Sequence, residues 1–148
     1  MLYHIHRGRQ KARRGVAAAE LAILLPVMCF LFVVSVDFAR VFYYTLTLEN
    51  CARNGALWAS DPFSSTQSSY TSLNQAVLAD ASNLSPALST NNISSNWSTD
   101  ANGNNAVTVT VSYSFNSITN YPGIPNPYAF TRSVEMRQMP TVPANFPP

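Results

Sequence analysis

The sequence predicts an α+β fold, in which a long N-terminal transmembrane helix continues into a small exported domain with a second helix and a roughly three-stranded antiparallel sheet. The first sign is residues 16–36, which are apolar apart from Glu20. The second is the helical spacing of apolar and small side chains through residues 37–60. The third is residues 106–115, where apolar and polar side chains alternate without exception, as in a strand with one buried face.

Residues 1–15 form a basic leader. They hold five of the nine basic residues of the 148-residue chain and no acidic residue. The span that follows, residues 16–36, covers about 31 Å as a helix, which is the thickness of a bilayer's hydrocarbon core. Because basic flanks stay in the cytoplasm, we expect a single-pass protein of the inner (cytoplasmic) membrane with its N-terminus inside and its C-terminal domain outside.

The same helix is predicted to continue outside the membrane as residues 37–60. A stripe of apolar and small residues recurs there at helical spacing, while Arg40, Asn50 and Arg53 lie off it. The stripe consists of Phe38, Val41, Phe42, Thr45, Leu48, Ala52, Ala56 and Ala59. The helix should end near Ser60, because a residue before proline, here Asp61, is biased away from helical dihedral angles. The Ser- and Thr-rich residues 64–69 are predicted to form a loop.

Residues 61–139 are predicted to be a small α+β domain, and its helix is signalled first. Ser72 and Gln75 have the spacing of a capping box. One apolar face follows, made of Leu73, Ala76, Val77, Ala81 and Leu84, and the helix should stop by residues 83–86.

Three alternating segments predict the sheet. Residues 93–99 read as a short half-buried strand, and Asn102-Gly103 supplies turn chemistry after it. The strand over residues 106–115 is predicted to bury Val107, Val109, Val111, Tyr113 and Phe115. In the last segment Phe130, Val134 and Met136 share one face. The tail, residues 140–148, is Pro-rich and predicted to be extended or disordered.

The charge of the chain argues against a nucleic-acid partner, and the positions of its two cysteines limit which disulfides it can form. Without residues 1–15 the chain keeps 4 basic and 7 acidic side chains, a net charge of −3, so no basic face is available for nucleic acid.

Cys29 and Cys51 are 22 residues apart, which is about 33 Å along a helix, whereas a disulfide needs Cα atoms within about 7 Å. An internal disulfide is therefore excluded on a continuous helix. Cys51 either fills the core or pairs between subunits.

Catalysis is not expected. Residues 61–148 contain no His, Cys or Lys, and their acidic residues are isolated in the sequence. Nucleophilic catalysis needs a base beside the nucleophile, and metal sites need clustered ligands. The sequence therefore predicts no enzyme, no catalytic residue, no cofactor, no metal site and no small-molecule substrate.

The start of the span carries a motif. Arg13-Arg14-Gly15 followed by Val16-Ala-Ala-Ala-Glu20 resembles the type IV prepilin cleavage site, in which a prepilin peptidase cuts after glycine and the fifth mature residue is glutamate. Three further motifs extend the likeness: Leu24-Leu25-Pro26, Asp37-Phe38-Ala39-Arg40 and Cys51-Ala52-Arg53-Asn54-Gly55-Ala56. Together they resemble the N-terminal module of TadE-like pseudopilins, which are minor subunits of the Tad (Flp) pilus and secretion apparatus. The chain departs from the family pattern at Cys51, where a small residue is usual, and at Leu57, where a second arginine often follows.

The resemblance implies a structural protein. It implies cleavage between Gly15 and Val16 by a prepilin peptidase, and assembly with other pilin or pseudopilin subunits. The carboxylate of Glu20 would then meet the new α-amino group of Val16, on its own helix or on a neighbouring subunit. Two alternatives remain open. Glu20 could instead lie at headgroup level without a partner, and the chain could be a membrane-anchored extracytoplasmic binding module that does not assemble.

Overall fold

The computed structural model describes residues 8–99 and 103–139. The first seven residues of the leader, Asn102 of the predicted turn and the Pro-rich tail lie outside these ranges. The chain divides into two compact units, Met1–Ala39 and Arg40–Pro148, here called the N-terminal unit and the C-terminal unit. Helix α1, Gly8–Ser60, contributes residues to both. It ends at Ser60, as predicted, and already begins at Gly8, within the leader.

A short helix follows α1 where the sequence favoured a loop. Helix α2 spans Pro62–Gln67. The side chain of Asp61 accepts a hydrogen bond from the backbone N–H of Phe63 at 3.0 Å, so Asp61 acts as an N-cap. Pro62 occupies the first helical position, where a missing N–H costs nothing. The loop prediction for residues 64–69 is therefore wrong up to Gln67.

Helix α3, Leu73–Leu78, starts where the capping box places it. The hydroxyl of Ser72 accepts a hydrogen bond from the backbone N–H of Gln75 at 3.3 Å. The side chain of Gln75 reaches back to accept from the N–H of Thr71 at 2.9 Å, one residue earlier than the motif requires. The helix is shorter than predicted, although Ala81 and Leu84 beyond its end are still buried with Ala76 and Val77, as the predicted face requires.

Within the described ranges, three strands form one antiparallel sheet in the order β1–β2–β3. The strands are β1, Ile93–Thr99, β2, Asn105–Phe115, and β3, Tyr128–Arg137. The register pairs Val109 with Ser95 on one side and with Val134 on the other. A 3-10 turn, Thr90–Asn92, precedes β1. These strands confirm the predicted sheet.

The three strands differ in how far they are buried. All five predicted core residues of the central strand β2 are buried. Phe130, Val134 and Met136 of β3 are half-buried and contact the same core. In contrast, β1 is exposed from Ser94 to Thr99, and only Ile93 is half-buried. The half-buried pattern predicted for this strand is thus wrong, because only Ile93 of β1 packs against the core.

The core of the C-terminal unit joins α1, α3 and the sheet. Leu48, Ala52, Ala56 and Ala59 of the predicted stripe are buried. Tyr44 and Cys51, which sequence reasoning did not place on the stripe, are buried with them. At the start of the stripe Val41 packs against the core, as predicted. Two residues there were placed wrongly, since Phe42 is 59 % exposed, and in the N-terminal unit Phe38 is 73 % exposed.

Gly55 marks the closest approach within this core. A Cβ atom built at Gly55 would overlap Cγ2 of Val77 in α3 and lie 3.2 Å from Cγ1 of Val109 in β2. No side chain larger than hydrogen fits between the helix and its two neighbours without displacing them. A glycine inside a helix costs up to about 1 kcal/mol relative to alanine, and here that cost is offset by close contact.

Candidate functional site

In the membrane-type segment of α1, every side chain of residues 15–32 is exposed with respect to the rest of the described chain. Among the residues that the structure describes, one helix is long and apolar enough to cross a membrane, the stretch Gly15–Ser60. Large apolar side chains are exposed on every side of its first half: Leu21, Ile23, Leu24, Leu25, Val27, Met28, Phe30, Leu31 and Phe32. A soluble helix would place polar residues on one face. This segment therefore fits a bilayer or a bundle of apolar helices.

The predicted cleavage site, Gly15 and Val16, lies on α1 at the start of this segment. Gly15 is exposed, and beyond its chain neighbours and the backbone of its own helix no described atom lies within 4 Å of the position that its Cβ would take. Val16 is 59 % exposed. The bond between them is thus sterically open on the helix surface. A peptidase that needs extended substrate would have to unwind this turn, and glycine lowers the cost of doing so.

Glu20 follows Val16 by four residues, so both side chains lie on the same helix face, one turn apart. Glu20 is exposed, and it is the single charged residue of residues 15–36. Among the side chains that the structure describes, none forms a hydrogen bond or an ion pair with it. The geometry leaves its carboxylate available for a partner outside the chain.

Arg40, the last residue of the Asp37-Phe38-Ala39-Arg40 motif, is the first residue of the C-terminal unit and lies beside a group of aromatic rings. The Cζ atom of Arg40 lies 4.9 Å from the ring centroid of Phe115 and 5.9 Å from that of Tyr44. The rings of Tyr44 and Phe115 meet edge to face at 5.7 Å. A guanidinium over aromatic faces is stabilised by the ring quadrupole, by roughly 0.5–2 kcal/mol.

Three further rings of the sheet complete this aromatic cluster. Tyr113 contacts Tyr44 at 5.6 Å and Phe130 at 5.9 Å between centroids, and Tyr128 stacks on Phe130. The hydroxyl of Tyr113 donates to the carbonyl oxygen of Pro86 at 2.9 Å. Burial, with a smaller contribution from Tyr44, raises the pKa of Tyr113, so its hydroxyl stays protonated as a donor. The cluster holds the end of β2 and the start of β3 against the part of α1 around Tyr44.

The sequence left two roles open for Cys51, filling the core or pairing between subunits, and its surroundings favour the first. Both cysteines are free, which confirms that they form no internal disulfide, and Cys51 is fully buried in the core. Burial, and to a lesser degree the carboxylate of Asp80, raises the pKa of Cys51 to about 11. That carboxylate accepts a hydrogen bond from the side chain of Asn54 at 2.7 Å. Cys51 therefore fills space in this unit, and a disulfide between subunits would require the core to open.

The structure keeps the predicted site residues together and adds others that the sequence did not reveal. Gly15, Val16 and Glu20 lie within two turns of α1. In the described part of the chain, no group of three or more His, Cys, Asp or Glu side chains could hold a metal ion. The cluster around Arg40 and the contact at Gly55 were missed. A glycine in the middle of a long helical pattern was the available signal for the second.

Comparison with known proteins gives one match. The model of the family described as TadE-like protein matches residues 15–57. This confirms the resemblance inferred from the motifs, over a segment that begins at Gly15 and ends three residues before the end of α1. No curated protein and no solved structure matches the chain.

Proposed function

We propose that this chain is a structural minor pilin of the TadE-like type, assembled into a Tad/Flp pilus or secretion apparatus, or at its base. The match to the TadE-like family over residues 15–57 carries the proposal, because it begins at the glycine of the cleavage motif and covers Glu20 and Arg40. A long apolar helix whose side chains are exposed within the chain is what a subunit of a helical bundle requires. Its partners would be a prepilin peptidase, other pilin or pseudopilin subunits and the lipid bilayer.

The proposed topology has the N-terminus in the cytoplasm and the C-terminal unit outside the inner membrane. Five basic residues precede the span and none follows it before Arg40. This asymmetry orients a single span with its basic flank inside. After assembly, the C-terminal unit would lie outside the cell on the pilus.

In this proposal cleavage after Gly15 prepares the assembly contact. Removal of the leader creates a cation on the α-amino group of Val16, one helical turn from Glu20. Both charges then lie among apolar side chains, where an unpaired charge is costly. A pair formed between the amine of one subunit and the Glu20 carboxylate of its neighbour offsets that cost and sets the axial register of the two helices.

The rival proposal is an anchored extracytoplasmic binding module that remains single. It shares the span and the sheet, but it has no use for glycine and glutamate at this spacing. Enzymatic activity is not proposed, because residues 61–148 have no His, Cys or Lys and no clustered acids.

The N-terminal residue of the protein recovered from membranes tests the proposal. We expect Val16 in a strain with an active prepilin peptidase, and the intact leader in a strain without it. Gly15→Val should block cleavage, since the motif places glycine before the cut. Gly8→Val, at the leader's other glycine, should leave cleavage unchanged. An intact Met1 leader in the peptidase-containing strain would favour the anchored binding module.

A further inference from the structure

The two edge strands of the sheet differ in how their outer edges are protected. An edge strand presents unpaired backbone N–H and C=O groups, and natural proteins discourage further pairing there with charged side chains, proline, bulges or a covering element. Strand β3 has such protection, because it carries Arg132, Glu135 and Arg137. Arg132 is an inward-pointing charge, since it pairs with the buried Val111, and its guanidinium donates to the backbone oxygen of Thr131 at 3.0 Å.

Strand β1 has none of these devices. Its sequence, Ile93–Thr99, contains no charged residue and no proline, and the uncharged stretch extends from residue 81 to residue 99. Each residue of β1 pairs with one residue of β2, so no bulge interrupts the strand. In the described part of the chain, residues 94–99 are all exposed and bond to no element other than β2. An edge of this kind can accept another strand by backbone hydrogen bonding.

The edge strand β1 also leaves one large apolar side chain without cover. Trp97 pairs with the buried Val107, so it lies on the core face of the sheet, yet it is 51 % exposed. Its neighbours on that face, Ser95 and Thr99, are exposed too. The core face is thus covered at β2 and open at β1. A strand added beyond β1 would place its own side chains beside Trp97.

We propose that β1 pairs antiparallel with β1 of a second copy of this chain, across a two-fold axis at Asn96, so that the two sheets become one continuous sheet. Residue 96 is the middle of the strand, so this register uses every residue of β1. Ile93 of one copy then lies opposite Thr99 of the other, and Ser94 lies opposite Ser98. No like charges meet, because β1 has none.

The side chains of β1 complement those of its own copy in this register. Trp97 lies opposite Ser95 of the second copy, and the two Trp97 side chains become diagonal neighbours, a separation that aromatic side chains bridge. Each ring therefore covers the other. On the opposite face Asn96 meets its own copy, and a side-chain amide both donates and accepts a hydrogen bond. A two-fold interface needs a self-complementary surface of this kind. The pairing goes beyond the pilin assignment and does not depend on cleavage after Gly15.

Cysteine cross-linking of the full chain in detergent tests this pairing. Cys29→Ala removes the exposed thiol, while the buried Cys51 stays in place. Asn96→Cys then puts two thiols opposite each other at the axis, where Cα atoms are about 4.5–5.5 Å apart, within the range of a disulfide. Ser133→Cys is the matched control, since Ser133 is exposed on the same face of the sheet at the β3 edge. Dioxygen with a copper catalyst oxidises the thiols to the disulfide.

We expect several times more covalent dimer from Asn96→Cys than from Ser133→Cys. A mixture of Ser94→Cys and Ser98→Cys proteins should also cross-link, because these residues are opposite each other across the axis. Neither protein should cross-link alone, because Ser94 of one copy lies about 13 Å along the strands from Ser94 of the other. Three positions guard against one variant that does not fold, and protease resistance of the C-terminal unit checks each protein.

Three results would overturn the pairing. Cross-linking of Asn96→Cys no greater than that of Ser133→Cys rules out the β1 edge as the contact. Cross-linking of Ser94→Cys alone, with no gain in the mixture, rules out the antiparallel register. The same oxidation in membranes of cells that make the protein identifies any other occupant. There, an Asn96→Cys adduct with a different protein, in place of the homodimer, rules out the second copy and assigns the edge to a strand of another subunit.

Discussion

The two stretches of α1 differ in how their apolar side chains are covered. Residues 15–32 carry large apolar side chains that stay exposed in the chain, whereas residues 44–60 bury a face that is rich in small residues. The small side chains Ala52, Gly55 and Ala56 let a sheet and a second helix approach the backbone closely. One helix thus serves two environments. Its second stretch builds a core inside the chain, and the apolar side chains of its first stay exposed, as a lipid or subunit contact would require.

The largest expected effect comes from a charge in the internal core. Val109→Asp would bury an unpaired carboxylate on the central strand, where Val109 is fully buried beside Gly55. We expect a loss of about 3–5 kcal/mol, enough to unfold the C-terminal unit. Tryptophan fluorescence during chemical denaturation of the full chain in detergent measures the change.

The neighbouring residue gives the matched control. Thr110 points to the other face, where its hydroxyl lies 2.8 Å from that of Ser133. Thr110→Asp puts a carboxylate there that can still accept a hydrogen bond from Ser133, and it should cost no more than about 1 kcal/mol. Equal stability of the two variants would mean that the register of β2 is wrong, and with it the internal core.

A smaller effect is expected from the titration of Cys51. Its pKa is raised to about 11, from 9.0 in the unfolded chain, mainly by burial. Below pH 9 both states hold the proton and the free energy of unfolding is unaffected. Between pH 9 and pH 11 the unfolded state loses the proton first, so the folded state becomes less stable by about 2–3 kcal/mol.

Cys51→Ala isolates this contribution, because the other groups that titrate near pH 10 remain. The difference in unfolding free energy between the parent and Cys51→Ala should be constant below pH 9. It should then shift against the parent as the pH rises to 11. A constant difference over the whole range would show that the Cys51 thiol is not held in the core.

Gly55 gives the next effect in size. Gly55→Ala adds a methyl group that overlaps Cγ2 of Val77, and we expect a net loss of about 1–2 kcal/mol in unfolding free energy, despite the better helix propensity of alanine. Val77→Ala removes the obstructing methyl groups. In the double variant the cost of Gly55→Ala should therefore fall, as measured in a double-mutant cycle. If the costs of Gly55→Ala and Val77→Ala simply added, Val77 of α3 would not contact α1 at Gly55.

Local patterns in the sequence foretold much of the fold. Strict alternation over residues 106–115 predicts β2 because one face of a central strand must be apolar. Ser72 and Gln75 predict the start of α3 because capping is a local interaction. The exposure of β1 could not be foreseen, because alternation within a strand does not say whether another element covers its apolar face. Phe42 was placed on the buried face, since a broad apolar stripe does not say which of its residues point to the core: Val41 and Tyr44 do, and Phe42 does not.

The candidate site divides in the same way. Gly15, Val16 and Glu20 were found because the motif is contiguous, and the family match begins at Gly15. The cluster of Arg40 with Tyr44 and Phe115 joins residues more than 70 positions apart in the sequence, so no local pattern reveals it. A contact between subunits is harder still to predict, since a single chain contains the Glu20 carboxylate but not the group on another subunit that would pair with it.

Incorporation of a Glu20→Ala variant into the pilus assembly tests most directly whether the first stretch of α1 is an assembly surface. The measurement is co-purification of the processed variant with the other pilus subunits, together with its N-terminal sequence. Glu49→Ala is the control, because Glu49 is an exposed carboxylate on the same helix within the C-terminal unit. We expect Glu20→Ala to be inserted, cleaved before Val16 and as stable in the C-terminal unit as the parent, yet largely absent from the assembly, while Glu49→Ala is incorporated normally. Normal incorporation of a correctly cleaved Glu20→Ala protein would contradict the account.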